Sequence, residues 1–462
     1  MGFKGGYYFK HFEGAAEPVL RECTVPRTVS VPAICASFSF TPLVETGDVV
    51  KAGRVCLSTD DEYPVTLVSP VNGTVTEVSE EGVTIASDGT SAFFSVEGHT
   101  RAPWHLDREA AFALFRSTGS ALLCDVNFAS ISELDEVEHI IVNAVHNAPL
   151  NQAWIPVMTG DSTVFSNGLR TLKRLFPDAQ VSIAVNKRNR KFFETLQIDT
   201  PEVYTRSSVK VLSDRYPQEH PELITRDVLG RKLFSPEGVR DRSVLVQGFF
   251  DVIQIGEIMT LGRPFMDRIL TIAGPGVSKP GWYRVRIGTT LEELGRQLFK
   301  SDDRGPWRII RGNLFEGEGI ASVSSVIHPS DTEISVLREP AQRELLRFMR
   351  PGFAWDSYSK TSVSGIIPLL PRQLDSSVHG GVRPCVQCNY CDEVCPVAIY
   401  PFLIWKYVQA EKTVESFRFR PHECIGCGLC DYVCPSKIDI MSSVIQAKDA
   451  YREVKGADDE ID

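Results

Sequence analysis

Eight of the twelve cysteines fall within the last 78 residues, in two copies of one pattern. The first copy is Cys385, Cys388, Cys391 and Cys395, then Pro396; the second is Cys424, Cys427, Cys430 and Cys434, then Pro435. Both read C-x2-C-x2-C-x3-C-P. Thiolates at this spacing let one tight loop present three sulfurs to a [4Fe–4S] cube, while the fourth cysteine reaches across to a second cube. The pattern predicts cluster one on Cys385, Cys388, Cys391 and Cys434, and cluster two on Cys424, Cys427, Cys430 and Cys395. Cross-ligation constrains the fold, because the two runs must meet in space.

Other uses of cysteine suit this chain poorly. Disulfide frameworks belong to short secreted chains. This one has 462 residues, and its start, MGFKGGYYFKHFEG, lacks an apolar signal core. Structural zinc takes four ligands as two separated pairs, without a third cysteine two residues on. Cys23, Cys35, Cys56 and Cys124 show no such spacing and read as small, mostly buried apolar residues. Reduced thiols and oxygen-sensitive cubes indicate the cytoplasm. A net charge of −10 leaves no broad basic footprint for nucleic acid. The local run Lys187-Arg188-Asn189-Arg190-Lys191 reads as a solvated helix end, and Asp458–Asp462 as a frayed tail. No stretch approaches the roughly 18 apolar residues of a membrane span, so work at a membrane would require docking on a partner.

The rest reads as a multidomain α/β chain. Residues 1–120 are β-rich, with short strand-like runs at Val65–Val68, Gly73–Val78 and Gly82–Ile85 between turn residues. Residues 135–265 alternate strands (His139–Ala144, Gln180–Asn186, Ser243–Gly248) with helical segments (Phe165–Phe176, Ile253–Met259), which predicts a parallel, Rossmann-like sheet. Ligands tend to bind at the strand ends of such a sheet. Asn143, His146 and Asn147 are therefore cleft candidates, or else polar caps of a strand end. Residues 266–350 return to strands (Arg268–Ile272, Gly281–Ile287, Trp307–Arg311) around a helix, Leu291–Leu298, which suggests a β-grasp-like domain. Gly312 and Gly317 read as turn formers there. A connector occupies 351–382, the ferredoxin module 383–455, and an acidic tail 456–462. Helical spacing in Ala398–Glu411 and Ile438–Val454 predicts an α-helical two-cluster ferredoxin. Val386, Val394, Ile425, Leu429 and Val433 are expected to limit water at the clusters. His422 reads as a surface histidine or as a hydrogen-bonding tuner of a cluster.

Several stretches resemble known families. Gly47–Gly53 with Ser69–Val75 resembles a biotinyl/lipoyl-carrier sandwich, yet the tip around Ser58–Pro64 carries no lysine, so the resemblance implies architecture without a swinging arm. Asn143–Leu150, Asp251–Gly256, Asp267–Leu270 and Ala273–Pro275 resemble the A subunit of the sodium-translocating NADH:quinone reductase (Nqr). The C-terminal cysteine runs, with Arg215–Gln218 and Glu222–Ile224, resemble the C subunit of the Rnf complex. The combination is an Nqr-A-like body carrying an Rnf-C-like ferredoxin.

This resemblance implies a peripheral electron-transfer subunit on the cytoplasmic face of the inner membrane. Its partners would be membrane-embedded and flavoprotein subunits. Electrons would pass from NADH or ferredoxin to quinone or membrane flavins, driving Na+ or H+ translocation. The implied cofactors are two [4Fe–4S] clusters, with NADH or quinone as further ligands. The Rnf C subunit, like its relatives, holds FMN on a glycine-rich loop, whose backbone N–H groups approach the phosphate closely. The matching region here, Asn143–Pro156, has no glycine. FMN and direct NADH oxidation are not expected of this chain. The alternatives are a soluble iron–sulfur oxidoreductase subunit without ion pumping, a flavin- and NADH-binding dehydrogenase subunit, and a docking scaffold with structural clusters.

Overall fold

The computed structural model describes residues 5–459 apart from 10–11, 36–37, 97, 153–161, 196–207, 301–305, 323, 340–357, 359–373, 375 and 377–380. The connector expected over 351–382 lies mostly outside the described residues. The fold is mixed α/β with several sheets, one of them parallel.

That parallel sheet runs in the order Val209–Leu212, Gln180–Asn186, His139–Ala144, Val244–Gly248, with His139 beside both Gln180 and Val244. Ile140, Ile141 and Val142 have no exposure. A strand apolar on both faces must be covered on both, which suits parallel pairing with helical crossovers. Helix Phe249–Leu261 follows its strand without a loop and ends on left-handed Gly262. It packs on helix Ser162–Leu175. The basic run at 187–191 opens helix Arg190–Thr195 through a short 3-10 turn, with Asn189 buried.

The mixed sheet beside it has six strands, in the order Glu17–Glu22, Gly281–Arg286, Asp267–Ala273, Glu333–Arg338, Trp307–Arg311, Glu318–Ile320. One of them comes from the N-terminal region, because Glu17–Glu22 pairs in parallel with Gly281–Arg286. Residues 266–350 therefore do not form a self-contained sheet. The pairing spans more than 250 positions, and no local pattern encodes it. Helix Leu291–Leu298 is capped by the Thr290 hydroxyl, which accepts from Glu293 N at 3.2 Å.

In the N-terminal region a four-stranded sheet (Thr28–Pro32, Gly82–Ser87, Gly73–Ser79, Val49–Val50) and a three-stranded one (Thr41–Pro42, Val55–Ser58, Thr66–Val68) share one core. The tip between the latter two strands is pinned. The buried Arg116 guanidinium pairs with Asp61 at 2.7 Å and donates to the Tyr63 carbonyl. Cys35 and Cys56 are buried as expected, while Cys23 and Cys124 are only partly covered. At the other end, helices Pro401–Gln409 and Met441–Asp459 frame the cysteine runs. The second helix continues through the start of the expected 456–462 tail.

Candidate iron–sulfur centre and the cavity beside it

The cysteine loops are built alike. Each cysteine of the second run follows its counterpart by 39 positions, and the backbone repeats with it. Gln387 and Gly426 (φ 54° and 71°), Asn389 and Gly428 (60° and 69°), and Ala398 and Lys437 (54° and 56°) are all left-handed. The early turns curl the chain back on its first sulfur: Gln387 N lies 3.4 Å from Cys385 Sγ, and Gly426 N lies 3.4 Å from Cys424 Sγ. One helical turn then carries the third cysteine, in Tyr390–Val394 and in Leu429–Val433. The aspartate after it anchors the next helix. Asp392 accepts from Phe402 N at 3.3 Å, and Asp431 from Ile440 N and Met441 N at 2.7 and 2.9 Å. These are N-terminal N–H groups that a helix cannot satisfy itself.

The eight sulfurs border two cavities. One, with about 360 Å3 of empty space including its mouth, is lined by Cys395, Cys424, Cys427 and Cys430, with Cys391 also touching it. The other, about 370 Å3 on the same measure, is lined by Cys385, Cys388, Cys391 and Cys434. Among the described residues no three His, Cys, Asp or Glu side chains converge on a point that one metal ion could occupy. Four soft donors around each void suit a polynuclear iron–sulfur group. Burial pushes the Cys391 thiol up to about 12 and the Cys395 thiol to about 11, and holds Cys427 and Cys430 well above the usual range. Such thiols ionise only beside a strong positive charge, and bound iron supplies one.

The two cavities differ in cover. Val394, Leu429 and Val433 are buried as expected and Ile425 is half-buried, but Val386 is 66% exposed and Cys388 lies at the surface. Val386 does not keep water away, because it is itself exposed. The second loop packs against the body. A Cβ on Gly428 would stand 2.9 Å from that of Phe315. Tyr216 lies 2.9 Å through its hydroxyl from both the Cys427 carbonyl and Glu316 Oε1. Tyr7, Phe9, Tyr216, Phe315 and Tyr432 form an aromatic cluster with ring centroids 4.8–5.7 Å apart. The N-terminus ties in as well, Gly6 N donating to the Val394 carbonyl at 2.7 Å. Sequence reasoning did not find this seam. Its one trace was the Arg215–Gln218 stretch, which gave no hint of its target.

Glu316 leads into a third space. About 1030 Å3, mouth included, opens at the C-terminal ends of His139–Ala144 and Val244–Gly248. Asn143, His146 and Asn147 all line it, together with Glu219, Asp251, Arg268, Glu316 and Glu333. The asparagines also cap the strand end. Asn143 donates to the Glu219 carbonyl at 2.9 Å, and Asn147 donates to the Ser213 carbonyl at 3.0 Å and accepts from Asn186 at 2.6 Å. His146 is held neutral, pushed down to about 4 by burial, and its Nε2 has no partner among the described residues. Both Glu219 carboxyl oxygens are buried without partners among the described residues. Burial pushes Glu219 and Glu316 up, and Glu333 to about 7. Arg268 is paired with Asp251. Four carboxyls against one committed guanidinium do not fit a flavin phosphate. The described part of the glycine-free loop, 143–152, offers no phosphate cradle either.

Residues 384–438 match the family of 4Fe-4S dicluster domains. The chain is similar to the A subunit of the Na(+)-translocating NADH-quinone reductase. That protein from Actinobacillus pleuropneumoniae serotype 5b (strain L20) is 26% identical over 390 residues, 80% of each chain. The one from Glaesserella parasuis serovar 5 (strain SH0165) is 27% identical over 381 residues, 78% of each chain. The one from Cellvibrio japonicus (strain Ueda107) is 31% identical over 160 residues, 35% of each. A chain of an NAD+-reducing [NiFe]-hydrogenase in the H2-reduced state gives a TM-score of 0.41 at 11% identity, over 77% of this chain and 65% of its own.

Proposed function

We propose that this chain is a peripheral electron-transfer subunit of an Nqr-type complex, docked on the cytoplasmic face of the inner membrane through membrane-embedded and flavoprotein partners. The likeness to the Nqr A subunit over four fifths of the chain and the dicluster match support this reading. No helix among the described residues is long and apolar enough to cross a membrane, so attachment would come through those partners. Na+ translocation belongs to the complex and not to these residues.

Cys385, Cys388, Cys391 and Cys434 hold cluster one; Cys424, Cys427, Cys430 and Cys395 hold cluster two. The observation that supports this is the cavity lining, where each void has three cysteines of one run together with the fourth cysteine of the other, Cys391 touching both voids. When bound, the cubes supply one-electron carriers. The protein sets their surroundings. Leu429 and Val433 keep water from the second loop, and Tyr216 ties that loop to the body. The exposure of Cys388 supports cluster one as the end that meets a partner. A one-electron route therefore runs between the body, cluster two, cluster one and an outside protein. The carboxyl-lined cavity suits an uncharged carbonyl acceptor such as a quinone headgroup better than the pyrophosphate of NADH, because burial raises Glu219, Glu316 and Glu333 and so favours their proton-donating form. Domain limits of 1–120, 135–265 and 383–455 follow the same reading, with strand Glu17–Glu22 reassigned to the 266–350 sheet.

Gentle purification from membranes, followed by identification of co-purifying subunits and iron assay, tests the assignment. About eight irons per chain together with multi-span partners is the expected result. A soluble chain without such partners overturns it.

A further inference from the structure

A separate cavity adjoins the second cysteine loop at Cys424 and Ile425. It has about 1080 Å3 of empty space, mouth included, between helix Pro221–Leu229, the 232–236 loop and helix Met441–Asp459. That is the size range of small-molecule sites. Its charge runs against the chain's. Arg226, Lys232, Lys448 and Arg452 line it against two acids, Glu222 and Glu423, in a protein of net charge −10.

Both acids are already engaged. Glu222 accepts from Leu233 N and Phe234 N at 3.0 and 3.1 Å, and Glu423 pairs with Lys232 at 2.9 Å. Arg226 is held by Asp227 and the Pro396 carbonyl. Lys448 and Arg452 stand one turn apart on the same helix, where neighbouring side chains share a face. Lys448 donates to the Cys424 carbonyl, which leaves its other ammonium protons available. Arg452 Nε and His422 Nδ1 are buried with no hydrogen-bond partner among the described residues, an arrangement that costs stability unless a ligand completes it. His422 is steadied by stacking on Tyr451, with centroids 4.3 Å apart. The opposite wall is apolar. It includes Leu223, Ile425 and Phe234, the last 37% exposed.

We propose that this cavity binds an organic phosphate monoester, its phosphate on Lys448, Arg452 and His422 and its flat apolar part against Phe234 and Leu223. A phosphate monoester carries about −1.5 to −2 charges at neutral pH, which suits Lys448 and Arg452, neither of which forms a direct ion pair among the described residues. Lys448 joins the site to the backbone of Cys424. If the cluster-two assignment above holds, occupancy changes the electrostatic field at that cluster.

AMP serves as the probe, titrated by calorimetry into the full chain reconstituted anaerobically, with inorganic phosphate and adenosine as separate arms. AMP is expected to bind at least tenfold tighter than either fragment. Arg452→Gln should weaken AMP about tenfold, the value of one charge-assisted hydrogen bond, with iron content unchanged. Lys232→Gln, on the rim, guards against a folding artefact and should weaken it less. The EPR signal of the reduced protein should shift with AMP in the parent, and in Arg452→Gln only at about tenfold higher AMP. Equal binding of AMP and adenosine, or unchanged affinity in Arg452→Gln, overturns the proposal. Because calorimetry needs no cluster, a protein that binds AMP but gives no EPR signal counts against the cluster assignment alone.

Discussion

The crossed assignment of the cysteines predicts a pattern that single substitutions cannot give. Cys395 borders the same cavity as Cys424, although it belongs to the other run, while Cys388 borders the second cavity. Alanine removes a ligand without offering an oxygen in its place. The double variant Cys395→Ala with Cys424→Ala strikes one cube twice, so about four irons per chain should remain of about eight. The double variant Cys395→Ala with Cys388→Ala strikes both cubes, and iron should fall towards zero. If each run instead held its own cube, the two outcomes would be exchanged. The difference is about four irons, well beyond the error of colorimetric iron and sulfide assays after anaerobic reconstitution. Integrated EPR intensity of the dithionite-reduced proteins gives an independent count. Four irons retained by the Cys395/Cys388 pair and lost from the Cys395/Cys424 pair would refute the reasoning.

Three further outcomes follow from the same structure. Tyr216→Phe removes the hydroxyl that meets both Cys427 and Glu316, and should lower stability by about 1–3 kcal/mol, read as a lower urea midpoint with an unchanged slope; an unchanged midpoint would mean that the seam does not hold the module. Gly428→Ala puts a Cβ against Phe315 at a left-handed residue, and should cost at least about 1–2 kcal/mol with iron loss on dilution, whereas Asn389→Gly at the equivalent exposed turn should change stability by less than about 0.5 kcal/mol. Glu333 is raised by burial from the usual glutamate value of 4.5 to about 7. The folded state then binds its proton more tightly than the unfolded state, so this stability is fully present below about pH 4.5 and is lost as pH rises through 7. The loss is at most about 3 kcal/mol. Glu333→Gln should flatten that part of the urea-midpoint profile, and an unchanged slope across this window would show that the carboxyl is not buried as described.

Much of this was legible along the chain. Strands Gln180–Asn186 and Trp307–Arg311 and helix Leu291–Leu298 begin and end where the apolar period and the turn residues place them. Helix Phe249–Leu261 runs beyond its predicted limits at both ends, and Met441–Asp459 starts later than Ile438 and ends later than Val454, because periodicity marks the buried stripe and not the ends. Asn143, His146 and Asn147 do meet in one cavity, since three polar residues after a buried strand have nowhere else to go. Their companions Glu219, Glu316 and Glu333 were invisible, because they arrive from distant segments and single glutamates carry no pattern. His422 belongs to a cavity wall that Arg452 and Lys232 complete from either side.

Local spacing alone specified the chemistry of the carboxyl end. Sulfurs at intervals of three and four residues form a tight loop, and the ligand geometry of a cube is a short-range property of that loop. Tertiary structure decided which loop faces the body and which faces out. It also decided that the first twenty residues complete a sheet more than 250 positions away and that the buried acids share one cleft. Those outcomes depend on burial, and burial is settled only when distant segments compete for the same apolar surface.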